Sequence, residues 1–81
     1  MLSNEEIENK LRQIEGVFYV KVEGDGYQYQ INIVSDAFID KSKLERQKWV
    51  YAELKDYIIS GKVHALSMKT WTIKEWSERH G

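Results

Sequence analysis

The chemistry this chain can perform is set by two histidines and by the complete absence of cysteine from its 81 residues. Without cysteine there is no thiolate nucleophile, no disulfide and no cysteine-ligated zinc or iron–sulfur site built by the chain alone. Any thiolate must come from a partner. His64 and His80 stand sixteen residues apart, which is not the spacing of a two-histidine metal site. His64 lies in Val63-His64-Ala65-Leu66-Ser67, where a helix-ending Gly61 feeds a strand near the rim of a sheet, a position that suits a ligand. The alternative is that its imidazole packs beside Leu66 and Met68, which share its strand parity. His80 belongs to a solvated tail. None of the patterns H-E-x-x-H, G-x-S-x-G, G-x-x-x-x-G-K-[ST] or G-x-G-x-x-G occurs, so an enzyme is not expected.

A second cluster is cationic. Lys41, Lys43, Arg46 and Lys48 set four positive charges against the single carboxylate of Glu45. Lys43 and Arg46 are i, i+3 neighbours at a helix N-terminus, whose exposed amides favour anions such as phosphate. The competing reading is an ordinary solvated helix face, and Asp36 and Asp40 just before it dilute the field. Globally, 12 Lys and Arg against 13 Asp and Glu give a net charge of −1, so general attraction to nucleic acid is missing. No two of the five glycines stand three apart, which excludes the GxxG clamp of KH domains. Tyr27 and Tyr29 share parity with Ile31 and Ile33, and Tyr51 falls in a helical stripe, so most aromatics are expected in the core rather than on a base-stacking platform.

The elements that must position these groups are marked by local signals. Ser3-Asn4-Glu5-Glu6, Ser42-Lys43-Leu44-Glu45 and Thr72-Ile73-Lys74-Glu75 are capping boxes, each opening a helix. The first carries Ile7, Leu11 and Ile14 on one stripe, with Glu5, Glu8, Lys10 and Arg12 outside. The second carries Leu44, Tyr51, Leu54 and Ile58. Val17 to Glu23, with Phe18, Val20 and Val22 on one parity, and Tyr27 to Ser35 read as strands joined by the hairpin Gly24-Asp25-Gly26. Val63 to Trp71 reads as a third strand, and Ser77 to Gly81 is expected to fray. The order α-β-β-α-β-α predicts an α+β fold in one domain, residues 1–81, with a three-stranded mixed sheet. The helices are expected mainly on one face, leaving the other partly open. No apolar run approaches a membrane span and the N-terminus lacks a signal-peptide layout, so a cytoplasmic protein is expected.

Several stretches together carry a family resemblance: Ile33-Val34-Ser35-Asp36-Ala37-Phe38, Lys41-Ser42 with Leu44-Glu45-Arg46, Val50-Tyr51, Val63 to Thr70, and Glu75-Trp76. They resemble the BolA-like family, most of all its small bacterial IbaG/YrbA-type members. The resemblance implies a fold related to type II KH domains. It also implies partnership with monothiol glutaredoxins, as apo complexes or bridged by a [2Fe–2S] cluster shared with glutathione, in iron–sulfur maturation and iron handling. The histidine of the family's His-Ala motif is the cluster ligand, which maps to His64, with supporting contacts expected from Lys69 and Thr70. The family's second Cys or His in the hairpin is missing here, leaving Asp25, Tyr27 or no second ligand, with His80 more remote. A second implied function is DNA-binding transcriptional regulation, using Lys41, Lys43, Arg46 and Lys48. A third is a stress-response role resting on an apo protein contact alone. The chain by itself is expected to be a monomer or weak homodimer. Where relatives read Phe-x-Gly-Lys, this chain has Phe38-Ile39-Asp40-Lys41, and Ile73 stands where relatives tend to have proline.

Overall fold

The computed structural model describes residues 2–80, and of His80 it describes only the backbone. Helix α1 (Asn4–Arg12) starts at the expected box: the Glu6 N–H donates to Ser3 Oγ at 3.1 Å and the Ser3 N–H to Glu6 Oε1 at 3.2 Å. Ile7 and Leu11 are fully buried against strand β1 (Val17–Gly24). Glu8 departs from the expected outer face. Its Oε2 accepts the Val22 N–H at 2.8 Å, binding the outer edge of β1.

β1 pairs antiparallel with β2 (Gln28–Ser35), and β2 pairs parallel with β3 (Ala65–Trp71), giving the sheet order β1-β2-β3. The hairpin between β1 and β2 is closed by Asp25. Its Oδ1 accepts the N–H groups of Tyr27 and Gln28, both at 2.9 Å, while its own N–H donates to the Gln28 carbonyl. A Cβ at Gly24 would lie 2.4 Å from that same carbonyl and against the Tyr29 ring, so only glycine fits there.

After β2, a 3₁₀ turn (Asp36–Phe38) leads to the second capping box and α2 (Lys43–Glu53). The expected long helix is broken at Leu54, whose ψ of 12° falls outside the helical range, and continues as α3 (Lys55–Ile59). Leu44 and Tyr51 are exposed; Val50 and Leu54 are the fully buried positions, flanked by Trp49, Tyr57 and Ile58. The inward stripe keeps the expected Leu54 and Ile58, but Val50 takes the place of Tyr51 and Leu44 faces solvent. The register of β1 also shifts, because Phe18 is an extra residue between the Val17–Ser35 and Tyr19–Val34 pairs. It is 63% exposed despite its parity with Val20 and Val22.

The core lies between one sheet face (Val20, Val22, Tyr29, Ile31 and Ile33) and α1, α2 and α3, closed by Phe38 and Val63. Helix α4 (Ile73–His80) begins at the third capping box, Thr72 with Glu75. It leaves the other helices and covers the end of the opposite face, where Trp76 stacks on Tyr19 and meets Trp71 edge-on. The tail expected to fray is helical through His80, held by the Arg79 guanidinium over the Trp71 ring. Most aromatics are not core either: Phe18, Tyr19, Tyr27 and Tyr51 are exposed, and only Tyr29 and Phe38 are fully enclosed. No helix among the described residues is long and apolar enough to cross a membrane.

Candidate functional site at the His64 end of the sheet

Two anchors fix His64 just before β3. On one side, buried Val63 donates its N–H to the Tyr57 carbonyl; on the other, the Ala65 N–H donates to the Tyr27 carbonyl, both at 3.3 Å. The backbone is thus held while the imidazole stands exposed. It does not pack with Leu66 and Met68; it stacks on the Tyr27 ring, with centroids 5.1 Å apart and planes 14° from parallel. Among the described residues neither ring nitrogen has a hydrogen-bond partner. A shallow depression of about 350 Å³ adjoins the ring, lined by Leu2, Glu6, Gly26, Gly61, Lys62 and His64.

The structure brings Tyr27 to His64 but gives Asp25 other work. The amides of Gln28 and Tyr27 hold the Asp25 carboxyl below the usual carboxylate range by stabilising its ionised form. No cluster of three or more His, Cys, Asp or Glu suited to a metal ion occurs among the described residues. The donor set therefore fits a shared centre to which this chain gives one imidazole, and does not fit a cluster held by this chain alone. Lys69 and Thr70 lie elsewhere. Five residues along a strand is roughly 16 Å, which puts Lys69 near the far end of β3. Lys69 shares a row of the second sheet face with Lys21 and Asn32, and the Thr70 carbonyl accepts from Arg46 Nη1 at 3.2 Å. The side chain of His80 lies outside the described residues.

The basic stretch is similarly divided. Lys41 Nζ donates to the Ala37 carbonyl at 2.8 Å. Arg46, with a side chain 11% exposed, donates Nε to the Lys41 carbonyl and both Nη groups to Glu75, at 2.8 and 3.2 Å. Those bonds, with the Thr72 N–H, pull the Glu75 carboxyl down to about 2. Lys43 and Lys48 remain as the exposed cations of this stretch. Sequence reasoning missed two residues of the second face, Trp71 and Arg79; the parity of β3 points Trp71 to the face of Lys69, whereas nothing local foretold the side on which α4 packs.

An antiparallel hairpin with a parallel third strand, helices behind it and a terminal helix across the far face defines a small α+β domain, and its exposed histidine sits where helix α3 hands over to the last strand. The chain belongs to the BolA-like protein family, whose model matches residues 3–75. It is 34% identical to the acid stress protein IbaG of Escherichia coli K12, over 94% of this chain and 90% of that one. It is 33% identical to the DNA-binding transcriptional regulator BolA of the same organism, over 94% and 81%. Its fold matches the crystal structure of a Bol-like protein from Babesia bovis with a TM-score of 0.84 and 28% identity, covering 100% of this chain and 96% of that one.

Proposed function

We propose that this protein is a non-enzymatic adaptor that binds a monothiol glutaredoxin through the His64 end of its sheet. There His64 would be one ligand of a [2Fe–2S] cluster shared with the glutaredoxin and glutathione, for iron–sulfur maturation or iron handling. One observation carries the reading: an exposed imidazole with no hydrogen bond among the described residues, on a fixed backbone, in a chain without cysteine. The membership in the BolA-like family supports this choice of partner class. The cluster brings the iron chemistry, and neutral imidazole in place of thiolate raises its potential. The chain's part is to present one ring nitrogen, oriented by the stack on Tyr27. Asp25, engaged with two amides, is the weaker choice for a second ligand; Tyr27 is the better placed.

The test is anaerobic reconstitution with a monothiol glutaredoxin, iron, sulfide and glutathione, read by visible circular dichroism. A heterocomplex spectrum distinct from that of glutaredoxin alone, and lost in His64→Ala, is the expected result. An unchanged spectrum in His64→Ala rules out ligation by His64. A second reading, DNA binding, is favoured by the likeness to the regulator BolA and by the exposure of Lys43 and Lys48. With two phosphate contacts, the logarithm of affinity falls by about 1.8 per decade of salt. Binding to duplex DNA that survives Lys43→Glu with Lys48→Glu unaltered excludes this surface.

A further inference from the structure

The two edges of the sheet are treated differently. Along β1, Glu8 occupies the Val22 N–H, and Asn4 Nδ2 donates to the Gly24 carbonyl at 3.4 Å, so α1 plugs that edge. Along β3, the Ala65 N–H points inward, to the Tyr27 carbonyl, and the Thr70 carbonyl points outward, to Arg46. The alternation of a parallel ladder then turns the N–H groups of Leu66, Met68 and Thr70, and the carbonyls of Leu66 and Met68, away from β2. A groove of about 340 Å³ runs beside them, lined by Lys43 and Gln47 from α2, Met68, Lys69, Thr70 and Trp71 from β3, and Arg79 from α4. Three of its lining residues are cations and none is an acid, although the chain as a whole carries a charge of −1.

We propose that the free edge of β3 is a docking strand for an extended, carboxylate-bearing segment of a protein partner, which would add a fourth strand to the sheet. The proposal does not rest on the glutaredoxin reading, since it uses the backbone edge of β3 and the cations beside it rather than the His64 imidazole. Three outward N–H groups and two outward carbonyls match the alternating donors and acceptors of a peptide. A DNA backbone offers acceptors only and leaves both carbonyls unpaired. Pairing of two copies through this edge would bring two sets of three cations together, the arrangement by which edge lysines oppose self-association. Carboxylates on the incoming strand meet Lys43, Lys69 and Arg79 from both flanks of the groove.

The probe is a capped peptide alternating glutamate and valine, titrated at low salt into the ¹⁵N-labelled full chain. The amide signals of Leu66, Met68 and Thr70 should shift most and exchange more slowly with solvent. The same peptide N-methylated at every second residue keeps its charge but loses the pairing donors, and should bind at least about tenfold more weakly. Lys43→Glu with Arg79→Glu, in protein whose spectrum is otherwise native, should weaken binding by at least about tenfold. The proposal is overturned by no shift at millimolar peptide, or by equal binding of the N-methylated form, which would mean charge attraction alone. A single-stranded oligonucleotide that perturbs these amides more strongly than the peptide also overturns it, as does concentration-dependent protection of the same amides in the chain alone.

Discussion

Replacing Arg46 by methionine keeps most of the side-chain volume and removes the one group that joins α2, β3 and α4. The guanidinium satisfies the Lys41 and Thr70 carbonyls and both oxygens of Glu75. Its own side chain is 11% exposed, whereas that of Glu75 is 43% exposed and can rehydrate when left alone. The loss should therefore fall below that of a fully buried pair, at about 2–3 kcal/mol. That is a large share of the roughly 4–12 kcal/mol expected for a domain of this size. The pair also has a pH signature. Glu75 is held at about 2 against an ordinary 4.5, chiefly by its hydrogen bonds to Arg46 and then by the Thr72 amide. A carboxylate with a lowered folded pKa adds stability that is complete above pH 4.5 and disappears as pH falls through 2. The shift sets a ceiling of about 3 kcal/mol, which the exposure of Glu75 cuts to about 1–2 kcal/mol. Urea unfolding of wild type and Arg46→Met at neutral pH and at steps down to pH 2 should show the gap narrowing by that amount. A gap that stays constant with pH, or a Glu75→Gln variant as stable as wild type at neutral pH, would refute the reasoning.

Asp40 adopts φ 63°, the left-handed region that glycine enters without steric cost, so Asp40→Gly should raise stability by about 0.5 kcal/mol and Asp40→Ala should lower it; urea midpoints of the pair decide. Ser35 is fully buried, its Oγ donating to the Gly16 carbonyl at 2.9 Å and accepting the Ala37 N–H at 3.1 Å. Ser35→Ala should cost about 1–2 kcal/mol and speed hydrogen exchange at Ala37, measured by NMR.

What could be read from the sequence is what is local. The three capping boxes and the Asp25 hairpin each satisfy their hydrogen bonds within a few residues, so residue type and spacing determine them. Strand directions followed too, because a hairpin makes β1 and β2 antiparallel and a helical crossover returns β3 parallel to β2, whereas the place of β3 beside β2 rather than β1 is set by packing. The misread features depend on long-range packing. Phe18 keeps the right parity for the core and loses it to a bulge set by its pairing with β2. In α2, Val50 takes the inward place expected of Tyr51, next to Trp49, which meets Phe38 edge-on across eleven residues of chain. Helix α4 crosses to the second face because Tyr19 and Trp71, from opposite edges of the sheet, converge there and offer Trp76 an aromatic seat.

The same distinction bears on His64. Six carboxylates that a sequence reader might count as candidate ligands are occupied by backbone amides: Glu6 with Ser3, Glu8 with Val22, Asp25 with Tyr27 and Gln28, Asp36 with Ile73, Glu45 with Ser42, and Glu75 with Thr72. To bind iron through its amide-bound oxygen, each would have to give up an N–H partner at a helix start, a strand edge or a turn. Lysine and arginine are cations and offer no lone pair at neutral pH. With no thiol in the chain, the imidazole of His64 is a nitrogen donor with no hydrogen bond among the described residues, and its stack on Tyr27 orients the ring. A site of this kind is incomplete by construction. In the proposed reading a cluster would be held here only while a partner supplied the remaining ligands, which would suit exchange better than storage.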